Sequence, residues 1–227
     1  QGFEALMRWQ HPELGMVSPG RFIPIAEQSG LIVQAGAWAL REASHQAAEW
    51  IAEGLAPDYM VIGVNVSGRQ LQEDGFVAKV AATIHETGVN PRNLKIEITE
   101  SLLMSDPDQA RAVLDSLKGL GIKLSLDDFG TGYSSLSYLT SFAFDELKID
   151  QSFVTSIDAK PKNRDIVRAI TSLASSLGLS TVAEGVESQA DVEAVNALGC
   201  NLVQGYHLSR PLSAEAMVEQ LRNGCYA

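Results

Sequence analysis

IKLSLDDFGTGYSSL, residues 122–136, is a short apolar run that ends on two aspartates and opens into a glycine-rich turn. Its length and boundaries predict a strand over Ile122 to Asp127. Just upstream, Asp108 to Lys118 carries Ala110, Leu114 and Leu117 at helical spacing. Gly119 and Gly121 follow, where helix ends favour glycine. A helix feeding a buried strand, with acidic residues at the strand's far end, is the unit from which the rest of the chain is read.

That unit recurs in both directions. Upstream, strands are predicted over Gly2 to Arg8, Met60 to Val66 and Leu94 to Thr99. Downstream, they are predicted over Glu146 to Asp150, Thr181 to Glu184 and Leu202 to Gln204. A helix from Ala35 to Glu53 places Leu40, Ala43, Ala47 and Trp50 on one face. Another from Arg164 to Leu177 aligns Ile166, Ile170, Leu173 and Leu177, with Gly178 beyond its end. Ser18-Pro19 reads as a helix start before Phe22 and Ile25. Alternating β and α units imply a parallel sheet. Seven strands are predicted, whereas a closed (β/α)8 barrel needs eight, so either a strand precedes Gln1 or the sheet is open. A doubly wound sheet is the competing fold. Its phosphate fingerprint is missing, because Gly130-Thr131-Gly132 is followed by Tyr133-Ser134-Ser135.

Composition narrows the function classes. The 227 residues fit one domain of barrel size, and 45% hydrophobic with 20% charged residues supports a sizeable core. Seventeen basic against 28 acidic residues give a net charge of -11, which disfavours duplex nucleic acid and anionic membranes as partners. Cys200 and Cys225 lack metal-type or redox-type spacing, as suits a reducing, cytoplasmic setting. No apolar stretch of about 18 residues is present to span a membrane, and no signal peptide is recognisable. No linker or short repeat divides residues 1–227, which read as a single domain. Opening on Gln1 rather than Met, directly into an ordered-looking segment, it is expected to be excised from a longer protein.

The polar residues fall where barrel enzymes keep their chemistry. Asn65 closes MVIGVNV, Glu97 and Glu100 close LKIEITE, and Asp127 and Asp128 close IKLSLDD. Lys148 and Asp150 close ELKID, Glu184 and Glu187 follow the next strand, Gln204 ends the last, and Glu4 lies in the first. The C-terminal strand ends of a barrel converge on one rim. Carboxylates brought together there repel one another unless a cation lies between them. Glu4, Asn65, Glu97, Asp127 and Asp128 are hard oxygen donors, which select magnesium or manganese over zinc. Any one acidic residue at a strand end is more often a helix cap or an ion-pair partner than a metal ligand. Lys148 is either a structural counter-ion or an anion ligand. His85-Glu86 starts a zinc-protease motif that Val89 breaks. Asp128-Phe129-Gly130 spells a kinase motif without the accompanying glycine-rich and catalytic loops. Phe129 to Ser135 is either an ordinary turn or a mobile loop governing the metal site.

These residues resemble the EAL-domain family of cyclic-di-GMP phosphodiesterases. GFEALMRW, FIPIAEQSGLI, NVSGRQL, EITES, DDFGTGYSSL, ELKID, AEGVE and QGYHLSRPL match it in family order along essentially the whole chain. The resemblance implies a modified TIM barrel with one antiparallel strand. The family's N-terminal helix and first strand are not represented before Gln1. It also implies hydrolysis of cyclic di-GMP to linear pGpG with two magnesium or manganese ions. A non-catalytic cyclic-di-GMP receptor is the alternative, because some family members only bind the dinucleotide.

Position by position, the resemblance gives Glu4, Asn65, Glu97 and Asp127 to the first metal, and Asp127 with Asp128 to the second. Lys148 matches the lysine beside the attacking water, and Glu184 the glutamate taken as general base. Glu187 is counted with these catalytic residues. Arg8, Leu6 and Gln204 match substrate-side positions. Glu100, with Thr131, matches the anchor of the loop after the aspartates. Phe22 to Glu27 could line a guanine pocket or simply pack a helix. The family context adds a homodimer, flanking sensory or GGDEF-type domains, a parent protein compatible with membrane anchoring, and control of biofilm and motility. The reaction expected is in-line attack on phosphorus by an activated water.

Overall fold

The computed structural model describes residues 2–103, 106–131, 136–157 and 160–222, which fall into two compact units. The first is drawn from Gln1–Glu97, Asp108–Lys123 and Leu212–Ala227, the second from Ile98–Pro107 and Leu124–Pro211.

In the first unit, β1 (Gly2–Ala5) leads into a small antiparallel hairpin of β2 (Trp9–His11) and β3 (Gly15–Val17). β4 (Val61–Asn65) lies parallel to β1 and to β5 (Leu94–Thr99). The helices Pro19–Ser29 and Leu31–Ala52 are separated by Gly30 alone, whose φ of 81° ends one and starts the other. Leu31–Ala52 buries Ile32, Gly36, Leu40, Ala43, Ala47 and Trp50, and Trp50 meets Phe3 of β1 edge to face at 5.8 Å. Ser67 caps the short helix after β4: its hydroxyl accepts from the Gln70 N–H, while Gln70 Oε1 accepts from the Ser67 N–H at 3.1 Å.

The second unit is built on β6 (Lys123–Phe129), β7 (Glu146–Ile149), β8 (Ser180–Glu184) and β9 (Leu202–Gln204), each parallel to the next. Lys123 itself falls in the first unit. Leu124, Leu126, Leu147, Ile149, Val182 and Ala183 bury these strands' apolar side chains, and Ser125, Asp127 and Lys148 are buried polar exceptions. The helix Pro161–Leu177 ends at Gly178, whose φ is 73°.

All seven predicted strands are present, and the long strands of each unit pair in parallel. The hairpin pairs antiparallel. Several boundaries move. The first strand stops at Ala5 rather than Arg8, because the hairpin takes over the chain at Trp9. The strand predicted to reach Asp150 stops at Ile149, and Asp150 instead caps the next helix by accepting the Ser152 N–H at 3.0 Å. The helix expected from Ala35 starts four residues earlier, after Gly30. Gly119 is the last helical residue rather than a left-handed stop, a role Gly121 takes with φ 89°. Ile166 is 38% exposed, since Pro161–Leu177 buries Val167, Ile170, Thr171 and Ala174 instead. Among the described residues no helix is long and apolar enough to cross a membrane.

Candidate active site

In the first unit the donors come from unbroken strand register. Glu4 pairs with Gly63 and Asn65 with Glu97, so all three donors sit within two residues of the C-terminal strand ends. Asn65 Nδ2 donates to Glu4 Oε1 at 2.6 Å. Glu4 and Glu97 offer carboxylate oxygens within 4.8 Å of each other. Glu97 is 1% exposed, and Lys95 Nζ ion-pairs with its Oε1 at 3.2 Å. Gly63 makes the room: a β-carbon there would run into Glu97 Oε1 and lie 3.2 Å from Lys95 Cε.

The second unit uses a backbone irregularity. Leu126 pairs with Leu147, but Ile149 pairs with Phe129 instead of Asp128. One extra residue has entered β6 at the two aspartates, a β-bulge. Asp128 takes a left-handed φ of 55°, which Asp tolerates better than most residues, and its N–H donates to Asp127 Oδ1 at 2.9 Å. In a regular strand neighbouring side chains face opposite ways. Here Asp127, Asp128 and Glu184 each bring a carboxylate oxygen within 4.8 Å of the others.

Lys148 lies among these acids and is 1% exposed. Its Nζ is 2.7 Å from Glu184 Oε1 and 3.3 Å from Asp127 Oδ2. A buried ammonium needs such partners. Three carboxylates against one ammonium still leave surplus negative charge, and the donors are all hard oxygens, so a divalent cation fits the cluster.

Other expected residues are placed less decisively. Leu6 is 44% exposed, and Arg8 is exposed with Nη1 donating to the Met7 carbonyl at 2.9 Å. Glu187 is exposed, and its N–H donates to Asp191 at 3.3 Å. Gln204 is register partner to Glu184, and its carbonyl accepts from the Val186 N–H at 3.1 Å. Glu100 is buried at the start of the helix Glu100–Leu103. Thr131 Oγ1 donates to the Asp128 carbonyl at 2.9 Å, tying the turn to the bulge. The rest of that loop, residues 132–135, lies outside the described residues, as does Cys225. Burial pushes the Cys200 thiol's pKa up.

Sequence reasoning missed Lys95, Gly63 and the bulge. Lys95 stood two residues before Glu97, hence on its face of the strand. No composition signal marks a bulge.

The EAL-domain family model matches residues 1–211. The chain belongs to the EAL-domain family. A curated relative of this EAL domain is MucR of Pseudomonas aeruginosa, a bifunctional diguanylate cyclase/cyclic di-GMP phosphodiesterase. The two are 44% identical over 217 residues, covering 96% of this chain and 31% of MucR. The EAL domain thus spans under a third of that relative's length. A solved structure of the PaMucR phosphodiesterase in complex with c-di-GMP superposes with a TM-score of 0.90 at 43% identity, over 94% of this chain and 86% of that one. The EAL domain of Mycobacterium smegmatis DcpA gives 0.79 at 41% identity, over 83% and 84%. The expected α/β fold is the one this EAL domain shares with both.

Proposed function

We propose that this EAL domain hydrolyses cyclic di-GMP to linear pGpG in a divalent-metal-dependent reaction. The observation that carries the reading is the bulge cluster: Asp127, Asp128 and Glu184 within 4.8 Å of one another, around a buried Lys148. In a structural ion-pair network one acid per lysine would suffice, and the excess of acid suits a cation. Family membership and the likeness to MucR supply the substrate class.

The residues divide the work by position. The family resemblance assigns Glu4, Asn65, Glu97 and Asp127 to one ion and Asp127 with Asp128 to the other, with magnesium or manganese favoured by ligand hardness. When bound, such ions polarise a phosphate oxygen and acidify water. Glu184 accepts the proton of the attacking water at its carboxylate. Lys148, held between Glu184 and Asp127, places a fixed positive charge beside the developing negative charge. Arg8, exposed in the connection between the first strand and the hairpin, engages a substrate phosphate. Glu187, Leu6 and Gln204 complete the substrate side. Glu100 and Thr131 hold the turn behind the bulge, and a homodimer with regulatory domains in the parent protein is the expected setting.

The test is incubation with cyclic di-GMP and manganese, with pGpG followed by chromatography. Turnover that chelator stops is expected. Tight dinucleotide binding without any pGpG would replace the enzyme by the receptor reading.

A further inference from the structure

The half-buried Lys95 has no part in the proposed chemistry. We infer that Lys95 is a positioning residue: a resident counter-ion that holds the Glu97 carboxylate in place before a metal arrives and weakens the site's grip on that metal. The inference rests on the metal-dependent reading above.

Lys95 and Glu97 stand two residues apart on β5 and share its inward face. Lys95 Nζ lies 3.2 Å from Glu97 Oε1, with the two side chains 15% and 1% exposed. A carboxylate buried to that extent is costly without a charged partner. Gly63, the register partner of Lys95, supplies the space, because any side chain there would displace the Glu97 carboxylate. Strand alternation, a glycine and a lysine therefore all serve to seat one carboxylate.

The consequence is a specific asymmetry. Without metal, Lys95 offsets the charge of Glu97 and so supports the fold. With metal, the ammonium and the divalent ion crowd the same carboxylate and repel one another. Removing the ammonium should destabilise the metal-free protein more than the loaded one. By linkage, the metal then binds more tightly and stabilises more. A lysine that merely packed would lower both states alike.

Lys95→Met and Lys95→Gln remove the charge, the second keeping a hydrogen-bond donor, and Lys95→Arg keeps the charge. Manganese affinity by calorimetry and the unfolding temperature with and without manganese are measured on the whole chain. The inference expects Lys95→Met and Lys95→Gln to bind manganese about tenfold more tightly, a change of about 1.4 kcal/mol. It also expects a larger metal-induced rise in unfolding temperature, with Lys95→Arg close to the parent. If Lys95→Met proves unstable without metal, Lys95→Gln carries the comparison. Unchanged or weaker manganese binding in both neutral variants overturns the role of Lys95 and leaves the metal reading intact. A parent protein that neither binds manganese nor is stabilised by it overturns the metal reading, and this inference with it.

Discussion

The two units assemble acidic clusters by different means. In the first, Glu4, Asn65 and Glu97 each come from a separate strand in unbroken register, and ordinary alternation aims them. In the second, Asp127 and Asp128 are adjacent on one strand, and an inserted residue with a left-handed backbone brings both into one group with Glu184. A regular strand offers one inward donor every second residue. Two adjacent donors require the register to break, at a cost of order 1–3 kcal/mol for a strained backbone position. The first arrangement is therefore sensitive to side-chain volume and the second to backbone conformation.

That contrast can be broken in stages. The largest effect is expected from Asp127→Ala, since the family resemblance assigns this residue to both ions: pGpG formation should vanish and calorimetry should show manganese binding severely weakened. Full activity of this variant in chelator would remove the two-metal scheme. Glu184→Gln keeps size and hydrogen bonding but accepts no proton at neutral pH. Its kcat should fall by roughly 10²-fold with little change in substrate affinity, as titration with cyclic di-GMP would report. Near-normal kcat would move the base elsewhere.

Smaller effects separate the two modes of construction. Gly63→Ala adds a methyl where Glu97 and Lys95 now meet, and overpacking of this kind costs about 1–3 kcal/mol. Chemical denaturation should show that loss together with weaker manganese binding, and a variant as stable as the parent would mean that the Glu97 carboxylate has room to move. Asp128→Asn and Asp128→Ala both delete a charge, but Asn tolerates the left-handed backbone better than Ala. Ala should therefore be less stable than Asn by about 1 kcal/mol, and equal denaturation midpoints would argue against strain at the bulge. Least affected is Cys200: its buried thiol, with a raised pKa, should resist alkylation until the protein unfolds. Rapid native-state labelling would contradict that burial.

Much of this was legible from the chain itself, for physical reasons. Buried parallel strands are apolar runs with polar ends, so the seven strands and Glu4, Asn65, Glu97, Asp127, Asp128, Lys148 and Glu184 could all be read from run length. The hairpin was not legible: its three-residue strands, joined through Pro12 to Leu14, are too short to show a period. Ile166 and Val167 are adjacent and both apolar, and composition does not say which one the helix buries. The Lys95–Glu97 pair was available from alternation, but a lysine inside an apolar run reads first as a strand-edge charge.

The extra residue in β6 also says which genetic lesion the fold would least resist. Between the paired positions Leu126–Leu147 and Phe129–Ile149, one strand spends three steps and its neighbour two. Loss of the single codon for Asp128 equalises them. The resulting protein would have a straighter, better-paired strand, ordinary backbone angles and one carboxylate fewer, so a screen that selects for thermal robustness should enrich it while a screen for cyclic-di-GMP turnover should discard it.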